Sequence, residues 1–289
     1  MCVETPGVPP LVAAELRGPN DRIDPKELTP FARTSAGWVS KPPRTDAEGR
    51  TPIVIVCHER YGVVRHTIEL ADKFAAMGFV VVAPDFYADM TLTGEEERLP
   101  EVADDVVLRH LDAAITYARG LEGCGADSPL AVIGICRSGS YGILADAERS
   151  DLDAVVMLYG GAQPKEFKTG ELRSTPYQKM IATGTSPVLG LWGEKDHTMS
   201  VEHVRRVRDM LEDARRSYEF VLYPDLPHGW LNDTMPGRFR AAAAQETFDT
   251  IVDWLREKFA GTTQAGQVSW SYRSTISETY DFSANRRLH

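Results

Sequence analysis

Cys136 stands where an apolar run meets a cluster of small residues, in Ala131-Val132-Ile133-Gly134-Ile135-Cys136-Arg137-Ser138-Gly139-Ser140-Tyr141-Gly142. A strand that turns sharply into a helix lifts the side chain at the turn above the carboxyl edge of its sheet, where a thiol can act as a nucleophile. Such an elbow needs small residues two before and two after the nucleophile, and Gly134 and Ser138 supply them. Two other readings of the segment stand beside this one. Ser140, inside Ser138-Gly139-Ser140-Tyr141-Gly142, suits a serine elbow, but it falls about one turn into the helix. A cysteine at a strand end is also a common packing residue.

A nucleophilic thiol requires a base and an acid that orients the base, and in an elbow-bearing α/β chain they follow in the order nucleophile, acid, histidine. Asp196 lies in Gly193-Glu194-Lys195-Asp196-His197, just after the apolar run at 187–192. His228 lies in Pro224-Asp225-Leu226-Pro227-His228-Gly229-Trp230, just after the run at 218–223. Both are expected on loops at the same sheet edge as Cys136, where open α/β sheets gather their ligands. The other histidines fit less well. His58 precedes the nucleophile, His66, His110 and His203 fall in helical patterns, His197 adjoins the acid, and His289 is terminal.

The elements that must position these residues follow from periodicity. Apolar β-branched runs at 52–57, 79–83, 130–135, 152–159, 187–192 and 218–223 read as strands buried on both faces. Between them, 67–77, 102–119, 201–214 and 240–259 carry apolar stripes at helical spacing, and a short helix is expected around 177–181. The alternation predicts an α/β class with a mostly parallel central sheet and helices on both faces. Residues 1–50 read as an arm and a peripheral β-ribbon, with a strand within 31–40. Residues 51–261 form the expected catalytic domain. The tail, 262–289, carries Trp270, Tyr272, Tyr280 and Phe282, and is expected to pack on its own domain or on a second copy in a homo-oligomer.

A formal net charge of −10 excludes the basic surface that nonspecific nucleic-acid binding needs. No uncharged apolar run approaches the ~18 residues of a membrane span, and the first residues show no secretion signal. Cys2, Cys57, Cys124 and Cys136 show neither CxxC nor zinc spacing, so free thiols and a cytoplasmic location are expected. Neither a phosphate loop, a dinucleotide fingerprint, an HExxH pair nor an EF-hand loop occurs, so no cofactor and no metal are expected.

Together these segments resemble the dienelactone hydrolase family of the α/β-hydrolase superfamily, over roughly 52–259. The resemblance rests on Gly134-Ile135-Cys136-Arg137-Ser138-Gly139, His58-Glu59-Arg60-Tyr61-Gly62, Val82-Ala83-Pro84-Asp85-Phe86-Tyr87, Leu158-Tyr159-Gly160-Gly161, Gly193-Glu194-Lys195-Asp196 and Pro227-His228-Gly229-Trp230. It implies an α/β-hydrolase fold and hydrolysis of a small lactone or ester through Cys136, with His228 as base and acid and Asp196 orienting it. Glu59 matches the family glutamate that assists thiolate formation, against the plainer reading of an ion pair with Arg60 or Arg65. The backbone N–H groups of Arg60 and Arg137 are the implied oxyanion hole. Tyr87, Tyr159 and Trp230 suggest an aromatic wall, and Arg60, Arg65 and Arg137 are candidates for an anion contact. The family's carboxylate-binding arginines have no counterpart in 87–90 or 228–233. Two further readings are acyl transfer to an acceptor other than water, and a noncatalytic protein that binds a ligand in the hydrolase pocket.

Overall fold

The structure, a computed structural model, describes residues 21–48, 50–91, 99–261, 267–276 and 279–288. The chain divides into two compact units, Met1–Leu130 and Ala131–His289. Most of the expected N-terminal arm lies outside the described residues.

In the first unit, strand β1 (Thr29–Ala32) turns at Arg33-Thr34 into β2 (Ser35–Ser40). The strand expected within 31–40 is therefore a hairpin. β1 alternates half-buried and exposed residues, as a ribbon open to solvent on one side should. β2 runs antiparallel to β4 (Val80–Pro84), which pairs in parallel with β3 (Ile53–Cys57). Every side chain of β3 and β4 is buried, which accounts for their unbroken Val, Ile and Ala composition. Helix α1 (Arg65–Ala76) buries Ile68, Leu70, Ala71, Phe74 and Ala75 along one stripe. Helix α2 (Asp104–Arg119) buries Val107, Leu111, Ala114, Ile115 and Ala118, with Asp104 and Asp105 in its first turn and Arg119 in its last, matching the helix dipole. Ile23, Leu28, Val63 and Ile68 make a small cluster against Ala36 and Trp38, so the ribbon has an apolar seat of its own.

The second unit contains β5 (Leu130–Ile135), α3 (Tyr141–Glu148), β6 (Ala154–Leu158), α4 (Tyr177–Thr183), β7 (Val188–Lys195), α5 (Val201–Asp213), β8 (Tyr218–Pro227), α6 (Ala241–Phe259) and β9 (Trp270–Ser274). β5 to β9 pair in sequence order and all in parallel. Their carboxyl ends consequently share one edge. β7 and β8 outlast their apolar runs because pairing continues through a register shift between Gly193 and Lys195. The largest departure from expectation is β9. The tail is not merely packed on the unit; it adds an edge strand to β8, and the Trp270 indole donates to the carbonyl of Arg216 at 2.8 Å. Among the described residues, no helix is long and apolar enough to cross a membrane.

One ion pair of this unit is wholly buried. Arg216 donates to Asp146 at 2.6 Å, to the carbonyl of Ser186 at 2.8 Å and to that of Ile181 at 3.1 Å. Asp146 also accepts from the Ser186 hydroxyl at 2.5 Å. Removing one partner strands a buried charge, so Asp146→Ala is expected to lower the unfolding free energy by about 3–5 kcal/mol. Replacing both, with Asp146→Leu and Arg216→Met, should restore most of that loss. Urea denaturation of the two variants measures the difference, and equal losses would contradict the assignment.

Candidate active site

The backbone at Cys136 is left-handed, with φ of +56°, immediately after the last residue of β5. That conformation is uncommon for a residue with a side chain and marks a strained turn. The neighbours explain how it is held. A Cβ at Gly134 would lie 2.3 Å from the carbonyl oxygen of Ser138, so the position two before the cysteine admits only glycine. Ser138 is more than small. Its hydroxyl accepts from the Ile135 amide and donates to the Ile135 carbonyl, both at 2.9 Å, closing the turn. At Gly139 a Cβ would come within 2.2 Å of the Gly160 carbonyl carbon, because the segment after β6 presses directly onto the elbow. Lys165 adds a hydrogen bond to the carbonyl of Arg137 at 3.2 Å.

Cys136, His228 and Asp196 meet. Sγ of Cys136 lies 3.0 Å from Nε2 of His228, and Nδ1 of His228 lies 2.7 Å from Oδ2 of Asp196. The carboxylate only accepts, so Nδ1 carries the proton of the neutral ring and Nε2 is left to receive one from the thiol. The three come from the carboxyl ends of β5, β7 and β8, which parallel pairing brings to one edge. The rival Ser140 is buried before α3, and its hydroxyl accepts from Arg173 at 3.1 Å. The histidine faces the cysteine.

Thr198 is a member of this group that the motifs did not point to. Its amide and its hydroxyl each donate to Oδ1 of Asp196 at 2.7 Å, and the same hydroxyl lies 3.2 Å from Nδ1 of His228. An Asp followed two residues later by Thr is the spacing of an Asx-turn, which was the available signal.

Cys136 is 7% exposed, His228 3% and Asp196 2%, so these charges act in a poorly solvated place. Burial alone would raise the Asp196 carboxyl, but the charge and hydrogen bond of His228 and the bonds from Thr198 outweigh it and hold it below the usual range. Burial opposes an imidazolium at His228 as well. The Asp196 charge, the cysteine and their hydrogen bonds prevail and lift His228 well above its ordinary value. The adjacent His197 goes the other way. Its ring lies 5.6 Å from that of His228, and burial together with the His228 charge pushes it down to about 4.

Tyr159 and Trp230 pack at this site. The Tyr159 ring centroid is 5.3 Å from that of His228 and 5.0 Å from that of Trp230, and the Trp230 indole donates to Thr247 at 3.0 Å. Both aromatic residues are fully buried, so Tyr159, backed by Trp230, packs against the imidazole from the side. The remaining expected site residues belong to the first unit. Glu59 is buried just beyond β3, and its carbonyl lies 2.6 Å from Nδ1 of His58. The Arg60 guanidinium lies over the Tyr61 ring, and Arg65 faces Glu69 at 3.4 Å on α1. Tyr87 is buried, stacks on His58 at 5.3 Å and donates to the carbonyl of Pro100 at 3.3 Å.

With the elbow, the order of the triad and its edge of the sheet in place, comparison with known proteins gives a consistent result. The family model described as "Dienelactone hydrolase family" matches residues 37–259. The chain belongs to the dienelactone hydrolase family. It is 30% identical over 252 residues to a "Putative carboxymethylenebutenolidase" of Salmonella typhimurium, covering 79% of this chain and 90% of that protein. A protein of the same description from Escherichia coli K12 is 28% identical over 275 residues, covering 87% of this chain and 94% of the other. Among solved structures, that of a "Putative Dienelactone Hydrolase" from Klebsiella pneumoniae superposes with a TM-score of 0.71 at 25% identity, covering 80% of this chain and 97% of its own. The fold is thus that of the α/β-hydrolases, and family membership makes the chain a hydrolase of ester or lactone bonds. The span that carries the family's signature ends with α6 and leaves β9 and the rest of the tail outside it.

The glycine contacts make the elbow testable in isolation. Gly139→Ala is expected to cost about 2 kcal/mol or more, because the methyl group would meet backbone atoms on both sides of the Gly160–Gly161 peptide rather than a yielding side chain. Chemical denaturation should show the loss alongside reduced ester turnover, and a variant with wild-type stability would disprove the tight contact.

Proposed function

We propose that this chain hydrolyses a small lactone or ester through an acyl-enzyme on Cys136, with His228 as general base and acid and Asp196 orienting it. The observation that carries the reading is the unbroken line from Sγ to Nε2 at 3.0 Å and from Nδ1 to Oδ2 at 2.7 Å. The thiol proton passes to Nε2, and the thiolate attacks the substrate carbonyl carbon. The imidazolium then protonates the departing alkoxide oxygen as the carbon–oxygen bond breaks, leaving a thioester. A water molecule gives its proton to the regenerated imidazole and attacks the thioester, and the leaving thiolate recovers that proton. The acid is released, Cys136 is a thiol again, and no other reactant is consumed.

The developing oxyanion needs donors fixed in advance. The backbone N–H of Arg137, the residue after the nucleophile, and that of Arg60, on the loop after β3, are assigned this role in keeping with the resemblance. Glu59, buried on that same loop, is assigned to help generate the thiolate when substrate arrives. Tyr159 and Trp230 are proposed to shape the acyl side of the site, and Tyr87 and Arg65 are proposed substrate-binding residues in keeping with the resemblance. A small, uncharged-to-anionic ester or lactone suits this set; nucleic acid is an unsuitable partner for a chain of net charge −10. No cofactor enters the scheme. A cytoplasmic location is proposed because Cys57, Cys124 and Cys136 are all free thiols.

Two measurements test the reading. Cys136→Ala should lower turnover of small aryl esters and lactones at least about 10³-fold, with mass spectrometry detecting an acyl adduct on Cys136 in the parent protein only. Wild-type turnover in the variant would refute it. The pH profile supplies the second. The upward shift of His228 means that its protonated form persists above the ordinary value of 6.5, so activity should hold across neutral pH and decline on the alkaline side as that proton is lost. A profile that keeps rising on the alkaline side without a decline would contradict the pairing.

A further inference from the structure

The tail after α6 meets the triad's supports at three places, all within the second unit. β9 pairs with β8 from Trp270 beside Tyr218 to Ser274 beside Leu222, and β8 is the strand that ends one residue before His228. The carbonyl of Leu288 accepts from Nε of Arg238 at 2.7 Å, and Arg238 is buried against Gly229, the residue after His228. Between these anchors, the Asn285 amide donates to the carbonyls of Glu194 at 3.0 Å and of Asp196 at 2.8 Å. Backbone carbonyls only accept, so the amide nitrogen must face them, and the amide oxygen receives the Tyr280 hydroxyl at 2.8 Å.

One carbonyl lies at the end of β7, at the register shift between Gly193 and Lys195, and the other begins the acid loop just after it. Thr198 fixes the Asp196 carboxylate within that loop. Its hydroxyl also reaches Nδ1 of His228 at 3.2 Å, but it leaves the main-chain carbonyls of Glu194 and Asp196 to other partners. The tail ties that main chain to β8, because it is paired to β8 at one end and bonded to the carbonyls of Glu194 and Asp196 at the other. We propose that Asn285 is a positioning residue of the active site, holding the main chain of Glu194 and Asp196 so that the Asp196 carboxylate stays on Nδ1 of His228. This rests on the assignment of Cys136, His228 and Asp196 as the reacting group. It makes the tail, which lies beyond the family-matched span, a working part of the site.

The groups that face His228 are Cys136 from the elbow, Asp196, His197 and Thr198 from the acid loop and Tyr159 after β6, with Arg238 and Arg287 acting on His197. If the acid loop loosens, His228 loses the partner that favours its charged form, and its titration must move down. The test uses the full chain with p-nitrophenyl acetate as probe. Asn285→Ala and the similarly sized, uncharged Asn285→Leu, which has no amide donor, should lower kcat about tenfold with KM within about twofold. The His228 titration, followed by NMR on protein with nitrogen-15-labelled histidine, should drop by about half a unit or more in both. Tyr280→Phe keeps the ring and should move both quantities in the same direction by less. Arg273→Ala, which removes only an exposed pair with Glu219 on β9, should change neither.

Unchanged kcat and an unchanged His228 titration in Asn285→Ala would overturn the proposal even if the variant melts earlier, because that is what a purely structural tail predicts. Should both Asn285 variants fail to fold, Tyr280→Phe decides on the same two readouts, and unchanged values there would overturn it. The titration needs no turnover. A His228 shift in a protein whose Cys136→Ala variant kept full activity would uphold the brace and reject the reaction scheme, so the two failures are distinguishable.

Discussion

The left-handed turn at Cys136 is the constraint on which the rest of this site depends. A backbone at φ of +56° points the thiol off the end of β5 instead of into the sheet, and it holds only if the atoms around it leave the turn no alternative. Gly134 removes the side chain that would strike Ser138, the Ser138 hydroxyl ties both polar groups of Ile135, and Gly139 lets the backbone after β6 close onto the elbow. That closure carries strain onward. Tyr159, the residue just before Gly160, is itself at φ of +34°, and its ring comes to rest against His228. The same packing that holds Cys136 therefore helps to orient His228.

Electrostatics then act on a geometry that is already fixed. Three polar side chains are almost wholly withdrawn from water, which by itself penalises every charge among them. The penalty is offset because each charged form faces an opposite charge or a donor: the imidazolium lies between Asp196 and Cys136, and Asp196 receives Thr198 through two groups. His197 shows the complementary requirement. A second imidazolium at 5.6 Å would oppose the charge on His228, and its downward shift keeps it neutral across the range in which His228 works. A neighbouring histidine is tolerable there because burial disarms it.

How much of this was legible in the chain depends on how local each signal is. β5 matched its apolar run residue for residue, since a strand with both faces covered has no polar position to blur its limits. The acid and the histidine were legible from the short segments after two apolar runs, and the spatial meeting of Cys136, Asp196 and His228 follows once those runs are parallel strands. β9 was not legible as a strand. Its sequence Trp-Ser-Tyr-Arg-Ser belongs to a sheet edge, with Trp270 about half exposed, and such a segment has the composition of an ordinary polar tail. Thr198 was within reach from its spacing to Asp196. Asn285 was not, because its partners lie 91 and 89 residues earlier and a lone asparagine carries no periodic signal.

The tail also bears on what the family likeness can and cannot carry. The matched span stops at residue 259, and within it the elbow, the acid and the histidine are complete as a set of side chains. Yet the loop that bears the acid is also held from outside that span, at carbonyls beside the register shift of the β7–β8 ladder. A register shift gives the acid loop freedom to reach across to β8, and the same freedom has to be removed before the carboxylate can hold an imidazole in one orientation. Asn285 removes it from a segment anchored on β8, so acid and base are referred to a common strand. The precision of a triad is set by the elements to which its loops are tied, and here one of those elements is a strand that family resemblance alone would have left out.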